Sequence, residues 1–461
     1  MNYAVITFGC RVNQADSLGF EEELRAAGAT SVPPDAADLV IVNTCSVTAS
    51  ADQGARQTIR RVARANPAAR IVVTGCYATR RPDELAALPN VARVIPNDDK
   101  PRAIPLILRP FDTLRVVPSP AEGRQAQDEP ATAVRYGDGE GSCGAAIEPG
   151  VAGRTAFTLR VQTGCAQPCS YCIIPTTRGV PRSVAVDDVL REVERVAAAG
   201  FKEVALTGVH LGSYGRDLES PSSLIELLRA LDAMSRSATC PPKLVKDRNE
   251  RRWKVLAERQ DLLFRISSLE PMDCSSEIVE LVARSERLAP HFHLPLQHAS
   301  NRVLAAMRRP YTIAQYSALV DEIRARMPGA SIGSDIIVGF PTETDDEFEA
   351  LAAYLERAPL THLHVFPYSD RPGTAASAMA DKVPGTVVRE RARRVREIGR
   401  RLTERFHESQ LGTTHRALTL EDGSLAVTGN YLKVRIPPGR SRNEWVRLRL
   451  TSHHDGELLS G

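Results

Sequence analysis

From residue 157 the sequence repeats one pattern six times: a short apolar run of strand length, then an amphipathic stretch of helix length. Strands are expected at Phe157–Val161, Glu203–Thr207, Leu263–Ser268, His291–Leu294, Ile332–Val338 and Leu360–Phe366. Helices fit between most of them, as at Val186–Ala199, Ser223–Met234, Ile313–Arg326 and Asp345–Arg357. Such alternation calls for parallel strands covered by helices. Six units in succession imply a full or partial (β/α)6 barrel, with its site at the C-terminal ends of the strands. The first hundred residues have the same rhythm, with strands expected at Tyr3–Phe8, Leu39–Asn43, Arg70–Thr74 and, more weakly, Ala92–Ile95, and a helix at Ala15–Ala27. The fold class is therefore α/β.

The rhythm fails in three places. Residues 118–153 are rich in Pro, Gly, Ala, Glu and Asp, and read as a linker. Between Leu231 and Leu262 lies a polar, basic stretch with Lys243, Lys246, Arg248, Arg251, Arg252, Lys254 and Arg259. It reads as a solvated insertion spanning 236–260 or as a contact for RNA phosphates. After Pro384, Thr386–His407 carries eight Arg against three Glu, and the last fifty residues alternate as a small β barrel would. The boundaries that follow are 1–117, a linker 118–153, a barrel 154–385, an Arg-rich helix 386–410 and a β domain 411–461. A length of 461 residues suits several cores, and a net charge of +3 requires any basic surface to be local. No apolar run reaches the ~18 residues of a membrane span, and the start lacks a signal peptide's pattern. A cytoplasmic location is expected.

Nine cysteines in a reduced compartment point to metal binding or catalysis before disulfides. Cys165, Cys169 and Cys172 form a C-x3-C-x2-C run directly after a barrel strand. Thiolates are the ligands of iron–sulfur clusters, and three of them leave one iron of a cubane open to a small molecule. Zinc draws paired sets, and no partner pair lies nearby. Cys10, Cys45 and Cys76 are far apart in sequence, yet each follows an expected strand of the first domain. In a parallel sheet those strand ends share one edge, where ligands bind. By pattern alone they are a shared metal site or three unrelated small residues at turns. Cys143, Cys240 and Cys274 show no pattern and read as ordinary thiols.

The run Gln162-Thr-Gly-Cys-Ala-Gln-Pro-Cys-Ser-Tyr-Cys-Ile-Ile-Pro-Thr-Thr-Arg-Gly resembles the radical S-adenosylmethionine (SAM) superfamily, and within it the methylthiotransferases. The resemblance implies a [4Fe-4S] cluster on Cys165, Cys169 and Cys172 whose open iron binds SAM and cleaves it to a 5′-deoxyadenosyl radical. It also implies Tyr171 against the adenine and Thr207-Gly208 near the SAM amino group. Arg178 and Arg182 could meet a carboxylate or phosphate, or form salt bridges. Phe8-Gly-Cys10-Arg-Val-Asn-Gln-Ala-Asp-Ser, Val42-Asn-Thr-Cys45-Ser-Val-Thr and Val73-Thr-Gly-Cys76-Tyr-Ala resemble the three signature segments of the methylthiotransferase N-terminal domain. In the family these cysteines carry a second [4Fe-4S] cluster that delivers sulfur, which a second SAM methylates. Residues 411–461 resemble the TRAM module, an RNA-binding barrel.

The resemblance extends to substrates: a tRNA adenosine at position 37 bearing threonylcarbamoyl or isopentenyl, or an aspartate of a ribosomal protein. Gly9-Cys-Arg-Val-Asn-Gln14, Leu206-Thr-Gly-Val-His-Leu-Gly-Ser-Tyr-Gly215, Arg265-Ile-Ser-Ser-Leu-Glu-Pro271 and His364-Val-Phe-Pro-Tyr-Ser369 are most similar to the threonylcarbamoyladenosine (MtaB-type) branch. An external electron donor and a sulfur source are then required. For RNA, the Arg-rich helix could follow a phosphate backbone, and Tyr431 and Trp445 could stack on bases or fill the small barrel's core. Gln297-His-Ala-Ser300 departs from the usual Gln-Ser-Gly-Ser, with His298 expected on the substrate side. Gln297, Glu270, Asp335 and Glu343 are further candidate contacts for SAM or substrate. A non-catalytic iron–sulfur RNA-binding sensor is the rival of another class, and it predicts no SAM cleavage.

Overall fold

The computed structural model describes residues 1–108, 149, 154–234, 244–246, 253–255, 262–454 and 457–460. Apart from residue 149, the expected linker lies outside the described residues. So does the basic stretch, except that Leu244–Lys246 and Trp253–Val255 pair as antiparallel strands. Cys143 and Cys240 also lie outside.

Six parallel strands form the centre. Phe157–Arg160, Glu203–Thr207 and Leu263–Ile266 pair in one run, and His291–His293, Ser331–Val338 and His362–Pro367 in another. Parallel bridges Phe264–Leu288 and Ser268–His293 join the runs into one curved sheet. Helices cover its outer face because their apolar residues recur at helical spacing. Val189, Val193 and Val196 of helix Val186–Ala198 share a buried core with Leu159, Leu206, Phe264 and Ile332. Helices Ile313–Arg326 and Asp345–Arg357 each start with a capping box, Thr312 with Gln315 and Thr344 with Glu347.

Residues 2–95 form a five-stranded parallel sheet in the order Thr30–Ser31, Asn2–Thr7, Leu39–Thr44, Arg70–Gly75, Val91–Ile95. The strand Leu39–Thr44 is central and wholly buried, as its run of apolar residues requires. The two-residue edge strand Thr30–Ser31 is too short to leave an alternation signal.

The Arg-rich segment is helix Gly385–Gln410. It buries Ala392, Val395, Ile398 and Leu402 in the central core and Phe406 in the C-terminal core. Five of its arginines already pair with glutamates: Arg391 with Glu343, Arg393 with Glu390, Arg394 with Glu349, Arg400 with Glu404 and Arg401 with Glu356. Three of these pairs fasten the helix to the loop before, and the body of, the preceding helix. The run of arginines is thus largely an ion-paired packing face rather than an open phosphate track, the other use its composition allowed.

Residues 414–460 close a five-stranded barrel around Ala417, Ala426, Leu432, Val434, Leu450 and Leu458. Tyr431 and Trp445 are both outside that core: Arg265 lies over the Tyr431 ring at 4.8 Å and Arg416 over Trp445 at 3.8 Å. The barrel is docked through Arg265, which is fully buried. Its Nε donates to Glu203 at 2.9 Å, and its Nη1 donates to the Gly429 carbonyl at 2.8 Å. A buried guanidinium needs a paired carboxylate and filled donors, and Arg265 has both.

Candidate functional site

Cys165, Cys169 and Cys172 lie on one loop after the first strand of the central sheet, all half-buried. Backbone bonds pin the loop at both ends and in the middle. Cys165 N donates to the Gly179 carbonyl at 3.0 Å, Cys172 N to the Cys169 carbonyl at 3.2 Å, and Ser170 N to the Met307 carbonyl at 3.0 Å. Gly164, just before the first cysteine, has φ +76°, and a Cβ there would stand 1.9 Å from the Val180 carbonyl oxygen. Only glycine fits. Arg309 donates to Cys169 Sγ at 3.3 Å, and Gln167 N donates to Cys165 Sγ at 3.4 Å. Burial raises the Cys172 thiol to about 12, and the neighbouring Cys169 and Cys165 thiols push it the same way. Burial raises the Cys165 thiol as well, and ionisation of these two buried thiols is what a cationic cluster would favour.

Cys10, Cys45 and Cys76 converge at the C-terminal edge of the N-terminal sheet. Cys10 precedes helix Arg11–Ala26, Cys45 follows strand Leu39–Thr44, and Cys76 opens helix Cys76–Arg80. A Cβ on Gly9 would stand 2.6 Å from Cys45 Sγ, so the Cys10 and Cys45 loops touch. Burial lifts the Cys45 thiol to about 12, with Cys10 and Cys76 adding to the rise. Burial also disfavours the Cys76 thiolate, yet Arg178 and Lys100 bring its pKa below the ordinary thiol value. Asn97 Nδ2 donates to Cys76 Sγ at 3.6 Å.

A single zinc ion would draw its sulfurs to about 3.8 Å from one another, given Zn–S bonds of about 2.3 Å. Among the described residues, the ligand trio that closes within 4.8 Å is His293, Asp335 and His364, and neither thiol triad does. The wider triads, with N–H donors aimed at their sulfurs, fit polynuclear clusters, and each leaves one corner without a thiol.

The two cysteine loops are bolted together. Arg178 lies six residues after Cys172 and is 3% exposed. It bonds to Asn13 Oδ1 and reaches Asp16 Oδ2 at 3.3 Å, both on the helix behind Cys10. Asp16 also holds Lys100 at 2.6 Å and Arg160 of the first barrel strand. Burial opposes its charge, yet those three cations keep its carboxyl far below the usual range. Asn97 Nδ2 donates to the Thr177 carbonyl at 2.7 Å, linking the Cys76 side to the end of the cluster loop. On the far side Arg371 bonds to Asp52 at 2.9 Å and to the Ser46 carbonyl, next to Cys45. Arg178 is therefore a buried tie. Arg182 forms an exposed pair with Asp98 at 3.3 Å.

Tyr171 packs against Val303, Met307, Ile337, Phe340 and Ala376 beside the cluster loop. Thr207 is buried at the end of its strand, and a Cβ on the following Gly208 would press on Leu211 and Gln162. Glu270 pairs with Arg309. Glu343 accepts from Gly339 N at 2.8 Å and Phe340 N at 3.2 Å and holds Arg391, so it shapes the loop after its strand. Gln297 is buried at φ +66° and bridges to Ile336. His298, expected on the substrate side, turns its ring into the protein. It is fully buried, accepts from Ser300 N at 2.9 Å and faces Glu343 at 3.6 Å. Cys274 is a buried thiol of the central apolar core, raised to about 12 by burial.

Sequence reasoning missed Arg309, Arg371, Asn97 and Lys100, because nothing in their local spacing marks them. It singled out Asp335 but missed the histidines beside it on the inner face of the sheet, where Asp335 accepts from His293 at 2.9 Å and His364 at 3.2 Å. Alternation along the strands His291–His293 and His362–Pro367, which flank Ser331–Val338, could have revealed them.

Residues 2–96 match the family model described as Uncharacterized protein family UPF0004, and residues 159–355 match that of the Radical SAM superfamily. The chain is 35% identical to the threonylcarbamoyladenosine tRNA methylthiotransferase MtaB of Aquifex aeolicus, over 97% of this chain and 100% of that one. It is 32% identical to the tRNA-2-methylthio-N(6)-dimethylallyladenosine synthase of Corynebacterium efficiens, over 100% of this chain and 82% of that one. The structure of the radical SAM methyltransferase TsrM of Kitasatospora setae aligns with a TM-score of 0.54 at 16% identity, covering 82% of this chain and 74% of that one. At that identity the likeness is one of fold.

Proposed function

From the premise that this chain belongs to the radical SAM tRNA methylthiotransferases, we propose that it methylthiolates C2 of N6-threonylcarbamoyladenosine at position 37 of tRNA. The observation that carries the reading is the pair of thiol triads whose loops are tied together through Arg178 and Asn97. The near full-length likeness to a relative named for threonylcarbamoyladenosine supports the choice of substrate.

In this reading Cys165, Cys169 and Cys172 hold one [4Fe-4S] cluster, and Cys10, Cys45 and Cys76 hold another. Bound there, the two would supply reductive cleavage of SAM and a transferable sulfur. The protein's own part is placement. Arg309 directs an N–H to Cys169 Sγ and so stabilises a thiolate without titrating itself. Tyr171 offers an apolar wall beside that cluster. Gly208, at the end of the second strand with Thr207, lets Leu211 and Gln162 pack directly on the backbone there. The reading assigns sulfur delivery to residues 1–117, radical initiation to 154–385 and tRNA binding to 411–461. It requires two SAM molecules per product, an electron donor and a sulfur source. No described helix is long and apolar enough to cross a membrane.

Nucleoside analysis of tRNA from cells lacking the protein tests the substrate. The methylthio group should disappear from threonylcarbamoyladenosine. Its loss from the isopentenyl nucleoside alone would overturn the choice.

A further inference from the structure

Arg11 directly follows Cys10, so its Cα is about 3.8 Å from that of a proposed ligand of the second cluster. The chain folds it inward to where three parts of the molecule meet. Its Nη2 donates to the Tyr431 hydroxyl of the C-terminal barrel at 3.3 Å. Tyr431 is held at φ +66°, with its ring 4.8 Å from His291 and under Arg265. The Arg11 charge reaches the inner face of the central sheet: it adds to the lowering of His291, which burial dominates, and opposes the rise of His364, which its hydrogen bond to Asp335 dominates. The guanidinium therefore stands at the mouth of the polar patch around Asp335, beside the second thiol triad.

The charges on the sheet side of that space are answered. Arg265 has Glu203 at 2.9 Å. Asp335 has His293 at 2.9 Å and His364 at 3.2 Å. His291 and His362 are held neutral, chiefly by burial. Arg154 lies near Arg11, bonds to Gln14 at 2.6 Å and is within the field of Glu21. Among the described residues, Arg11 has a phenol for a partner and no carboxylate. A half-buried guanidinium with free donors is a receptor for a planar anion.

We propose that Arg11, steadied by Tyr431, binds the carboxylate of the threonyl group on the substrate adenosine and so sets the side chain the enzyme accepts. The inference rests on the substrate reading above and deepens it. A threonylcarbamoyl group ends in a carboxylate and a hydroxyl, whereas an isopentenyl group is apolar and would leave Arg11 desolvated and unpaired. Placing the receptor one residue from Cys10 lets the anchor also fix the distance between the base and the second cluster.

The test is binding of two anticodon stem-loops to the reconstituted full-length protein. One carries threonylcarbamoyladenosine, the other its methyl ester. The native protein should favour the acid roughly 10- to 100-fold, the worth of a charge-assisted bidentate contact. Arg11→Gln should bring that ratio to about 1 with the iron content of both clusters intact, and Arg11→Lys should restore part of it. An undiminished ratio in Arg11→Gln would overturn the proposal. If Arg11→Gln loses iron, Tyr431→Phe decides: it leaves Cys10 and its neighbours untouched, and a ratio equal to the native one counts against the receptor. Should the native protein bind the threonylcarbamoyl loop no better than an unmodified loop, and methylthiolate an isopentenyl loop, the substrate reading itself has failed.

Discussion

The two thiol triads present the same chemistry through opposite constructions. Cys165, Cys169 and Cys172 occupy one loop, and the backbone of that loop does the gathering. Cys10, Cys45 and Cys76 span 67 positions (10 to 76 inclusive), and only the parallel sheet gathers them. The first triad tolerates distant change as long as its loop survives. The second exists only when three strands are in register. The difference teaches that a metal site can be a property of a segment or of a topology, and that the two should fail differently.

The largest expected effect separates the roles. Cys169→Ala should remove about four of the eight irons expected of two [4Fe-4S] clusters and take 5′-deoxyadenosine formation to background. Cys45→Ala should also remove about four irons, yet leave SAM cleavage measurable while methylthio product disappears. Iron analysis and chromatography of reduced, reconstituted protein read both. If Cys45→Ala keeps its second cluster and stops SAM cleavage, the division of labour is wrong.

A pair of glycine substitutions sharpens the contrast, because each adds one methyl group next to one triad. Gly164→Ala drives its Cβ into the Val180 carbonyl at 1.9 Å, and Gly9→Ala drives its Cβ to 2.5 Å from Cys45 Cβ. Both glycines are at positive φ, +76° and +90°, which adds strain. Overpacking of about 1–3 kcal/mol should lower methylthio product roughly 10- to 100-fold in each case. Only Gly164→Ala should also suppress SAM cleavage. Equal suppression by both would mean that the loops are not separable.

Much of this was legible in the sequence, for reasons that differ by region. The barrel strands and helices carry clean periodicity, so they were found within a residue or two. The triplet carries its geometry in its spacing. The dispersed triad could be suspected because each cysteine sits just past a strand, but convergence depends on strand order, which no local pattern encodes. The ties were invisible: Arg178, Lys100 and Arg160 come from three segments and meet only at Asp16. The Arg-rich helix misled because composition reports charge and not its partners, and Arg394 and Arg401 are answered by Glu349 and Glu356 on the neighbouring helix.

Asp16 is where the two constructions are joined, so its removal should loosen the junction more than either loop. Asp16→Ala strands Lys100, Arg160 and Arg178 at a buried site, and breaking such a set costs about 3–5 kcal/mol. The expected result is an earlier denaturation midpoint, read by circular dichroism. The pH dependence has a definite sign. The folded-state carboxyl lies below the unfolded value of about 3.9, so its contribution is complete above about pH 4 and is lost as the pH falls toward the lower folded value. Native protein should therefore lose stability in acid more steeply than Asp16→Ala. Equal acid sensitivity would remove Asp16 from its role as the joint.

The smallest effect comes from the arginine four residues further along the same loop. Arg178 and Arg182 look alike in sequence, and both reach across to the N-terminal sheet domain. Their surroundings differ: the Arg178 side chain is 3% exposed, while Arg182 and Asp98 are 49% and 72% exposed. Water screens the second pair, and ordering two long side chains offsets most of the attraction, leaving about 0–1 kcal/mol. Arg182→Ala should move the denaturation midpoint slightly, and the shift should vanish as salt shortens the screening length. Arg178→Ala should cost more at every salt concentration, because its partner Asp16 is out of reach of solvent ions. If both variants respond to salt alike, the junction between the triads is wet. The fastening between the two thiol-bearing loops would then rest on the backbone contacts and Asn97 rather than on buried charge.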